Sequence, residues 1–171
     1  MEQLSESADT KTLLLEIIEQ NAGIRYRELL RMTGLVNGVL TYHLAALEKS
    51  DRIRADRESR MTRYYPPQVS EKESSVLKYV RHEPIQEILM FIFENEHCTF
   101  NEIVAYSQKA PSTISSHLRR LKDDGLIAVR YGEYQLYRIA DRELFSDVLS
   151  KFRPSFADRV VDNFANAVEE L

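Results

Sequence analysis

The chain has 171 residues, of which 43% are hydrophobic and 29% charged, a balance that excludes a disordered protein and suits one ordinary domain or two small ones. No run approaches the roughly 20 apolar residues of a membrane span, and residues 1–10 lack the basic and apolar regions of a signal peptide, so we expect a cytoplasmic protein. The single cysteine excludes an intrachain disulfide and is typical of a reducing compartment.

The net charge of −4 is unusual for a nucleic-acid-binding protein, but the charge is unevenly spread. Residues 22–66 carry nine Arg or Lys against five Asp or Glu, a local charge of +4, whereas residues 1–21 and 67–171 each sum to −4. Because salt screens charges beyond about 8–10 Å, the local balance governs binding. An anionic partner is therefore compatible with the first half of the chain and less so with the second.

A shift of 74 residues matches the two halves of the chain without a gap. Most matched positions are apolar, which predicts that two copies of one unit share a core design. The matched pairs include Leu14 with Ile88, Ile18 with Ile92, Tyr26 with Phe100, Glu28 with Glu102, Leu40 with Ile114, His43 with His117, Leu44 with Leu118, Leu47 with Leu121 and Ile53 with Ile127. Two copies are too few for a solenoid, so we predict two consecutive domains.

Apolar spacing in the first copy predicts three helices and then a hairpin. These elements are helices over 10–20, 25–32 and 37–50, followed by strands over 52–56 and 61–65 that are joined by a turn over 57–60. Gly23 and Gly34 end the first two helices, and Asn37 is expected to cap the third. Pro66 and Pro67 then stop the hairpin.

The second copy repeats this order of elements. Its helices are predicted over 84–95, 100–107 and 112–124, and its hairpin strands over 127–131 and 134–139. We therefore divide the chain into a first winged helix-turn-helix domain over 1–66, a linker over 67–83, a second such domain over 84–140, and C-terminal helices over 141–171. The predicted fold class is mainly α with small β-hairpin wings.

The segment Gly23–Leu44 and the segment Ser112–Leu121 with Gly125-Leu126-Ile127 resemble winged-helix transcriptional regulators of the ArsR/MarR-like class, and are most similar to those common in archaea. The resemblance covers residues 10–140. It implies recognition helices in adjacent major grooves of double-stranded DNA, with wings near the minor groove or the phosphates. Metal-sensing members carry clustered Cys and His residues that this chain lacks.

In helix-turn-helix proteins, the N-terminal part of the recognition helix reaches the base edges in the major groove. With three leucines turned inward, the open face of helix 37–50 is predicted to contain small and polar side chains that hydrogen-bond bases or phosphates. The predicted DNA-binding residues of this helix are Asn37, Gly38, Thr41, Tyr42 and His43. For His43, a half-buried structural role stays open beside a phosphate contact.

The corresponding surface of helix 112–124 is also small, polar and basic. Its predicted DNA-binding residues are Ser112, Thr113, Ser115, Ser116, Arg119 and Arg120. Because small polar residues also simply suit the start of a helix, their presence by itself does not decide between a DNA contact and a solvated surface.

The first predicted wing is rich in arginine, which pairs with phosphate in a two-pronged manner and suits a narrow minor groove. Its predicted DNA-binding residues are Arg54, Arg57, Arg60 and Arg63, and Arg52 lies in the same run. The alternative is a solvated hairpin whose arginines pair with Asp56 and Glu58. The second wing has only Arg130 and Arg138, and we expect a weaker DNA contact or a packing surface there.

Enzymatic and metal-dependent functions find little support in the sequence. It contains no phosphate-binding glycine loop, no nucleophile elbow, and no paired carboxylates in a defined frame. His97 and Cys98 are adjacent but make an incomplete metal or redox site, and a free cysteine is often a small core residue. We therefore expect no enzyme, no metal and no cofactor.

The tail has no counterpart in the repeat and contains two helical stretches, over 141–152 and 154–171. Their apolar residues form stripes, Phe145, Val148, Leu149 and Phe152 in the first and Phe156, Val160, Phe164, Ala167, Val168 and Leu171 in the second. These stripes either pack within the chain or form a homodimer, which matches a two-fold symmetric operator. We favour the homodimer.

Two functions remain open at this point. The first is a sequence-specific transcriptional regulator, favoured by the basic first wing and the small polar helix surfaces. The second is a tandem winged-helix protein-interaction module of a chromosome or transcription complex, favoured by the acidic total charge. The sequence names neither an operator nor an effector.

Overall fold

The structure is a computed structural model that describes residues 2–58 and 60–152. The chain forms two compact units. Among the described residues, unit 1 contains those up to Ser74 together with Phe152, and unit 2 contains Ser75–Lys151.

Unit 1 has a helical frame and one small antiparallel sheet. Its elements are α1 (Glu2–Gln20), β1 (Ile24–Arg25), α2 (Tyr26–Thr33), α3 (Asn37–Lys49), β2 (Arg54–Glu58), β3 (Met61–Tyr65) and the first turn of α4 (Glu71–Val80). The strand order is β1-β3-β2, so β3 is the central strand. The β2–β3 hairpin is the first wing.

Unit 2 repeats this arrangement. Its elements are the remainder of α4, α5 (Glu83–Asn95), β4 (Cys98–Thr99), α6 (Phe100–Ser107), α7 (Pro111–Asp123), β5 (Ile127–Arg130), β6 (Leu136–Ile139) and α8 (Arg142–Lys151). The strand order is β4-β6-β5, with β6 central, and the β5–β6 hairpin is the second wing. Each unit therefore has the winged helix arrangement, and the predicted fold class is confirmed.

The core of each unit comes from the apolar spacing that the sequence displays. In unit 1, the side chains of Leu14, Ile18, Leu29 and Leu40 are fully buried, and Leu44 and Leu47 nearly so. Ile88, Ile92, Ile103, Ile114 and Leu121 form the equivalent set in unit 2. Because residues three and four apart lie on one face of a helix, these spacings turn one face of α3 and one face of α7 inward and leave the opposite faces exposed.

The 74-residue shift is accurate for the helices and for the first strand of each sheet: β1, α2 and α3 correspond to β4, α6 and α7 without offset. The prediction that the halves match without a gap is wrong in the hairpins. Ile24 pairs with Tyr64, and its counterpart Cys98 pairs with Tyr137, which is only 73 residues further on. The second hairpin is therefore one residue shorter than the first, and its pairing ends earlier, at Arg130 and Leu136.

Several predicted boundaries need correction. Helix α1 begins at Glu2 rather than at residue 10, and β2 continues to Glu58, so residues 57 and 58 belong to the strand and not to the turn. Asn37 is the first helical residue of α3, and the N-cap is Val36, whose side chain accepts no hydrogen bond. The predicted linker over 67–83 contains the whole of helix α4, in which Val76, Leu77 and Val80 are buried.

The first tail helix, α8, packs within unit 2. Phe145 and Val148 are buried, and the Phe145 ring lies 5.2 Å from the ring of Phe93 on α5. Arg142 extends over the same Phe93 ring at 4.2 Å. Phe145 and Val148 of the predicted stripe are therefore covered inside unit 2, whereas Phe152 belongs to unit 1 and the stretch predicted over 154–171 lies outside the described residues.

Candidate nucleic-acid interface

The turn between α2 and α3 sets the angle at which α3 leaves the core. Gly34 adopts a left-handed conformation (φ 66°) and donates its backbone N–H to the Leu30 carbonyl at 3.1 Å. The Thr33 hydroxyl donates to the Leu29 carbonyl at 2.8 Å and accepts from the Leu35 N–H at 3.4 Å. These bonds close the end of α2 within three residues of the start of α3, which is the geometry of a helix-turn-helix.

The outer face of α3 is open. The residues Asn37, Gly38, Thr41, Tyr42 and Ala45 are all exposed, opposite the buried leucines. The Tyr42 side chain is 66% exposed, and no atom lies within 4 Å of the position that a side chain at Gly38 would occupy. The exposed surface predicted from the sequence therefore exists, and its contact with DNA stays a prediction.

His43 does not belong to this surface. It is only 6% exposed, and its ring meets the Tyr42 ring edge to face at 5.3 Å. Position 43 lies three residues from Leu40 and four from Leu47, on the inward face of the helix. Its inclusion among the DNA-binding residues is therefore wrong, and the alternative of a structural histidine agrees with its burial.

Tyr26, at the start of α2, joins the open face of α3 although sequence reasoning treated it only as a core position. Its hydroxyl lies 3.0 Å from Thr41 Oγ1 and 3.1 Å from both the backbone carbonyl and the side-chain Oδ1 of Asn37. The contacts bridge 11 and 15 residues, so no local pattern indicates them. The one available signal was the difference between Tyr26 and its repeat counterpart Phe100.

Some arginines of the first wing are hydrogen-bonded within unit 1, whereas Arg60 is exposed. Arg57 donates two hydrogen bonds of 2.6 Å to the Glu48 carboxylate of α3, and this hydrogen-bonded pairing lowers the pKa of Glu48. Arg54 donates to the Val69 carbonyl at 3.3 Å and lies over the Tyr65 ring at 4.9 Å. Arg60 is exposed, and no hydrogen bond joins it to the described residues.

The prediction that Arg63 binds DNA also needs correction. It is 3% exposed on the central strand β3, and its Nη1 donates to the Gly23 carbonyl at 3.1 Å. Burial lowers its pKa, the nearby Arg25 adding to this effect. Because this side chain is buried and bonded to the Gly23 carbonyl, it is not available to a phosphate, and Arg63 is a structural residue.

The exposed face of α7 contains every residue predicted for it: Ser112, Thr113, Ser115, Ser116, Arg119 and Arg120. Arg120 is already engaged. Its Nε donates to the Tyr79 hydroxyl at 3.1 Å, and that hydroxyl donates to the Asp124 carboxylate, which also pairs with Lys78 at 3.5 Å. This cluster ties the C-terminal part of α7 to α4 and reduces the cationic surface that α7 offers.

A shallow groove of about 430 Å³ runs between α7 and the second wing in unit 2. Its wall includes Arg119 and Lys122 from α7, and Lys122 donates to the Tyr131 hydroxyl at 2.9 Å. Tyr131 and Tyr134 at the wing are exposed by 63% and 67%. The second wing therefore presents aromatic rather than arginine side chains.

The exposed charges of the two units differ when equivalent segments are compared. In 24–66, the exposed cations among the described residues are Arg27, Arg31, Lys49, Arg52, Arg57 and Arg60, and Asp51 is the one exposed acid. In 98–140, five exposed cations (Arg119, Arg120, Lys122, Arg130 and Arg138) face four exposed acids (Glu102, Asp123, Asp124 and Glu133). The exposed surface of segment 24–66 is therefore strongly basic, whereas that of segment 98–140 is nearly neutral.

Two other sequence features find no site in the part of the chain that the structure describes. No group of three or more His, Cys, Asp or Glu residues there is placed to hold a metal ion. Cys98 is buried, and burial raises the pKa of its thiol.

None of the helices over 2–58 and 60–152 is long and apolar enough to cross a membrane.

Two family models match separate segments of the chain. A model described as an N-terminal HTH domain matches residues 8–77, and one described as a bacterial regulatory protein of the arsR family matches residues 86–129. No curated protein matches the chain. The two segments correspond to the helix-turn-helix regions of units 1 and 2, so each unit carries its own match.

Among solved structures, the chain is similar to HlyU from Vibrio cholerae, with 24% identity and a TM-score of 0.44, over 50% of this chain and 94% of that one. It is similar to the transcriptional repressor BigR from Xylella fastidiosa, with 17% identity and a TM-score of 0.41, over 47% and 82%. A homodimeric winged helix-turn-helix DNA-binding domain from Mycobacterium bovis has 22% identity and a TM-score of 0.39, over 57% and 84%.

Proposed function

We propose that this protein is a cytoplasmic, sequence-specific transcriptional regulator that binds double-stranded DNA chiefly through unit 1. The observation that carries the proposal is the open face of α3, with Asn37, Gly38, Thr41 and Tyr42 exposed beside a basic surface. A helix presented in this way fits the major groove, and its N-terminal side chains reach base edges there.

The charge of unit 1 supports a phosphate-bearing partner. Six exposed cations against one exposed acid over 24–66 provide an attraction that does not depend on base sequence. Arg52 and Arg60 at the wing are the exposed arginines we assign to phosphate or minor-groove contacts, because Arg54, Arg57 and Arg63 already have partners inside the unit. The proposed contact is therefore narrower than the run of five arginines in the sequence.

Unit 2 is proposed to add a weaker DNA contact. The N-terminal part of α7 exposes Ser112, Thr113, Ser115 and Ser116, which suit base or phosphate contacts, and Arg119 is exposed beside them. The nearly balanced exposed charge over 98–140 provides little attraction of its own. We therefore assign to α7 a second, weaker DNA contact that forms once unit 1 is bound.

A homodimer remains part of the proposal, with the tail stretch over 154–171 as its predicted contact. The apolar stripe of that stretch is the tail's remaining candidate, because Phe145 and Val148 of α8 are buried within unit 2. A dimer of this kind would bind two half-sites related by a two-fold axis.

The second candidate function is protein binding by unit 2. The specific observation in its favour is the pair of exposed tyrosines, Tyr131 and Tyr134, on a nearly neutral wing. Tyrosine is enriched at protein interfaces, where it supplies large contact area. This function does not exclude DNA binding by unit 1.

The test is a titration of fluorescent duplexes by anisotropy at several salt concentrations, preceded by selection of bound sequences from a randomised duplex pool. The variants form pairs with one member in each unit: Thr41→Ala with Ser115→Ala at equivalent repeat positions, and Arg60→Ala with Arg130→Ala, an exposed wing arginine of each unit. We expect selected sequences to bind more tightly than random ones and the Arg60 variant to flatten the salt dependence by about one unit. The paired variants in unit 2 should lose less affinity for DNA.

Absence of binding to any duplex at low salt would overturn the regulator function and leave the protein-binding function. Larger losses in the unit 2 variants than in the unit 1 variants would reverse the assigned roles of the two units.

A further inference from the structure

The hydroxyl group of Tyr26 lies among three oxygen atoms at the N-terminal end of α3. It is 3.1 Å from the Asn37 carbonyl oxygen, 3.1 Å from Asn37 Oδ1 and 3.0 Å from Thr41 Oγ1. Asn37 is the first residue of α3 and Thr41 follows one turn later, so both project from the same exposed face.

The number of hydrogen atoms limits how these contacts form. A tyrosine hydroxyl donates once and accepts twice, whereas a carbonyl oxygen only accepts. Both atoms of Asn37 near Tyr26 are carbonyl oxygens, so the Tyr26 proton points to Asn37. The remaining contact is then made by the Thr41 hydroxyl, which donates its proton to Tyr26 Oη.

This arrangement orients the two exposed side chains. With Oδ1 of Asn37 turned toward Tyr26, the amide Nδ2 group faces outward as a donor. With its proton directed at Tyr26, Thr41 presents its lone pairs outward as an acceptor. An asparagine or threonine without such a partner can present either polarity, since an amide can flip and a hydroxyl can rotate.

We infer that Tyr26 is a specificity-determining positioning residue, which makes unit 1 read a hydrogen-bond acceptor with Asn37 and a donor with Thr41. In the major groove the acceptors are N7 and O6 of guanine, N7 of adenine and O4 of thymine, and the donors are the amino groups of adenine and cytosine. The inference rests on the proposed DNA-binding function and adds to it the polarity of two base contacts.

The repeat provides an internal comparison. The position of Tyr26 is taken by Phe100 in unit 2, and the positions of Asn37 and Thr41 by Pro111 and Ser115. Unit 2 therefore has neither the hydroxyl nor the amide, and we assign it no fixed polarity at this place. Phe100 begins α6 as Tyr26 begins α2, which indicates that Tyr26→Phe is compatible with folding.

The experiment selects sequences from a randomised duplex pool with the wild-type protein and with the Tyr26→Phe, Asn37→Ala and Thr41→Ala variants. Affinities for the selected and for a random duplex are then measured by anisotropy. Tyr26→Phe is expected to weaken binding to the wild-type selected sequence about fivefold while changing binding to random DNA less than about twofold. The base preference that it relaxes should be the one that Asn37→Ala or Thr41→Ala also relaxes. The reciprocal Phe100→Tyr variant, which gains a hydroxyl without an amide nearby, should leave the selected sequence unchanged.

Each outcome either supports the positioning role of Tyr26 or overturns it. Selection of the same sequence with the same discrimination by Tyr26→Phe overturns the positioning role while the regulator function stands, as does a change at base pairs that depend on neither Asn37 nor Thr41. If the wild-type protein enriches no sequence, the proposed function fails and this inference fails with it. A readout without DNA is the side-chain amide signal of Asn37 in NMR spectra, which should shift in Tyr26→Phe and stay in place in Phe100→Tyr.

Discussion

The guanidinium of Arg57 on the first wing holds the carboxylate of Glu48 on α3 with two parallel hydrogen bonds of 2.6 Å. The pair links the wing to the helix that we assign to the major groove, and both side chains remain partly exposed, at 59% and 32%. An exposed pair of this kind contributes less than about 1 kcal/mol to stability. Its larger consequence is that Glu48 competes with any phosphate for Arg57.

The first prediction concerns this competition. Glu48→Gln should release Arg57, tighten binding to random duplex at low salt about threefold, and steepen the salt dependence by up to one unit. The measurement is fluorescence anisotropy over a salt series. In an Arg57→Ala background, the same Glu48→Gln change should have little effect, because its action passes through Arg57. Equal effects in both backgrounds would show that Glu48 acts by general repulsion of DNA.

The second prediction tests the structural role of Arg63. Arg63→Ala should lower the free energy of unfolding by about 2 kcal/mol or more, because it removes a buried side chain and leaves the Gly23 carbonyl without its donor. Arg63→Leu should lower the free energy of unfolding by less, because a leucine takes the equivalent position in unit 2. Leu136 pairs there with Thr99, as Arg63 pairs with Arg25. Urea unfolding followed by circular dichroism measures both. DNA affinity of the folded Arg63→Leu protein should equal that of wild type, and a loss comparable to that of Arg60→Ala would restore Arg63 to the interface.

The third prediction uses a difference between the two helix-turn-helix turns. Gly34 ends α2 with φ 66°, and its repeat counterpart Gln108 ends α6 with φ 53°, a conformation that costs a side chain about 1 kcal/mol. Gln108→Gly should therefore raise the free energy of unfolding by about 1 kcal/mol, and Gly34→Ala should lower it by a similar amount. No atom lies within 4 Å of the Cβ position at Gly34, so the cost arises from the backbone. Shifts of the urea midpoint in the same direction for both variants would contradict the prediction.

The fourth prediction concerns pH. Burial lowers the pKa of His117, and the positive charges of Arg120 and Lys109 lower it further; the His82 ring lies nearby, with 6.5 Å between the ring centres. An unfolded histidine titrates near pH 6.5, so between about pH 5 and 7 the unfolded chain binds more protons than the folded one, and stability falls as the pH falls. His117→Gln should reduce this slope.

The check is the difference between the wild-type and His117→Gln free energies of unfolding at several pH values. Subtracting the two series removes the contributions of the other three histidines, which both proteins share. A difference that stays constant from pH 5 to 7.5 would exclude the effect. Below that range, protonation of carboxylates such as Asp124, whose pKa is lowered mainly by the Tyr79 hydrogen bond, adds a separate loss.

The helices were predictable because their signals are local. The spacing of Leu40, Leu44 and Leu47 defines both the existence of α3 and its buried face, and the open face follows as its complement. The repeat reinforced each assignment. Strands β1 and β4 were missed because two residues have no periodicity, and each strand exists only through its pairing with β3 or β6. Helix α4 was missed because its first turn is polar and charged.

The order of residues along the chain predicts the repeated helices and hairpins, the helix faces that pack inward and the concentration of arginine in the first wing. The role of each polar group depends on contacts that form only in the folded chain. Arg63 is buried against Gly23, 40 residues away, Arg57 meets Glu48 across nine residues, and Tyr26 reaches the exposed end of α3. Apolar periodicity is a local property that can be recognised in neighbouring residues. The role of a charge or a hydroxyl instead depends on the partner that the folded chain brings within about 3 Å.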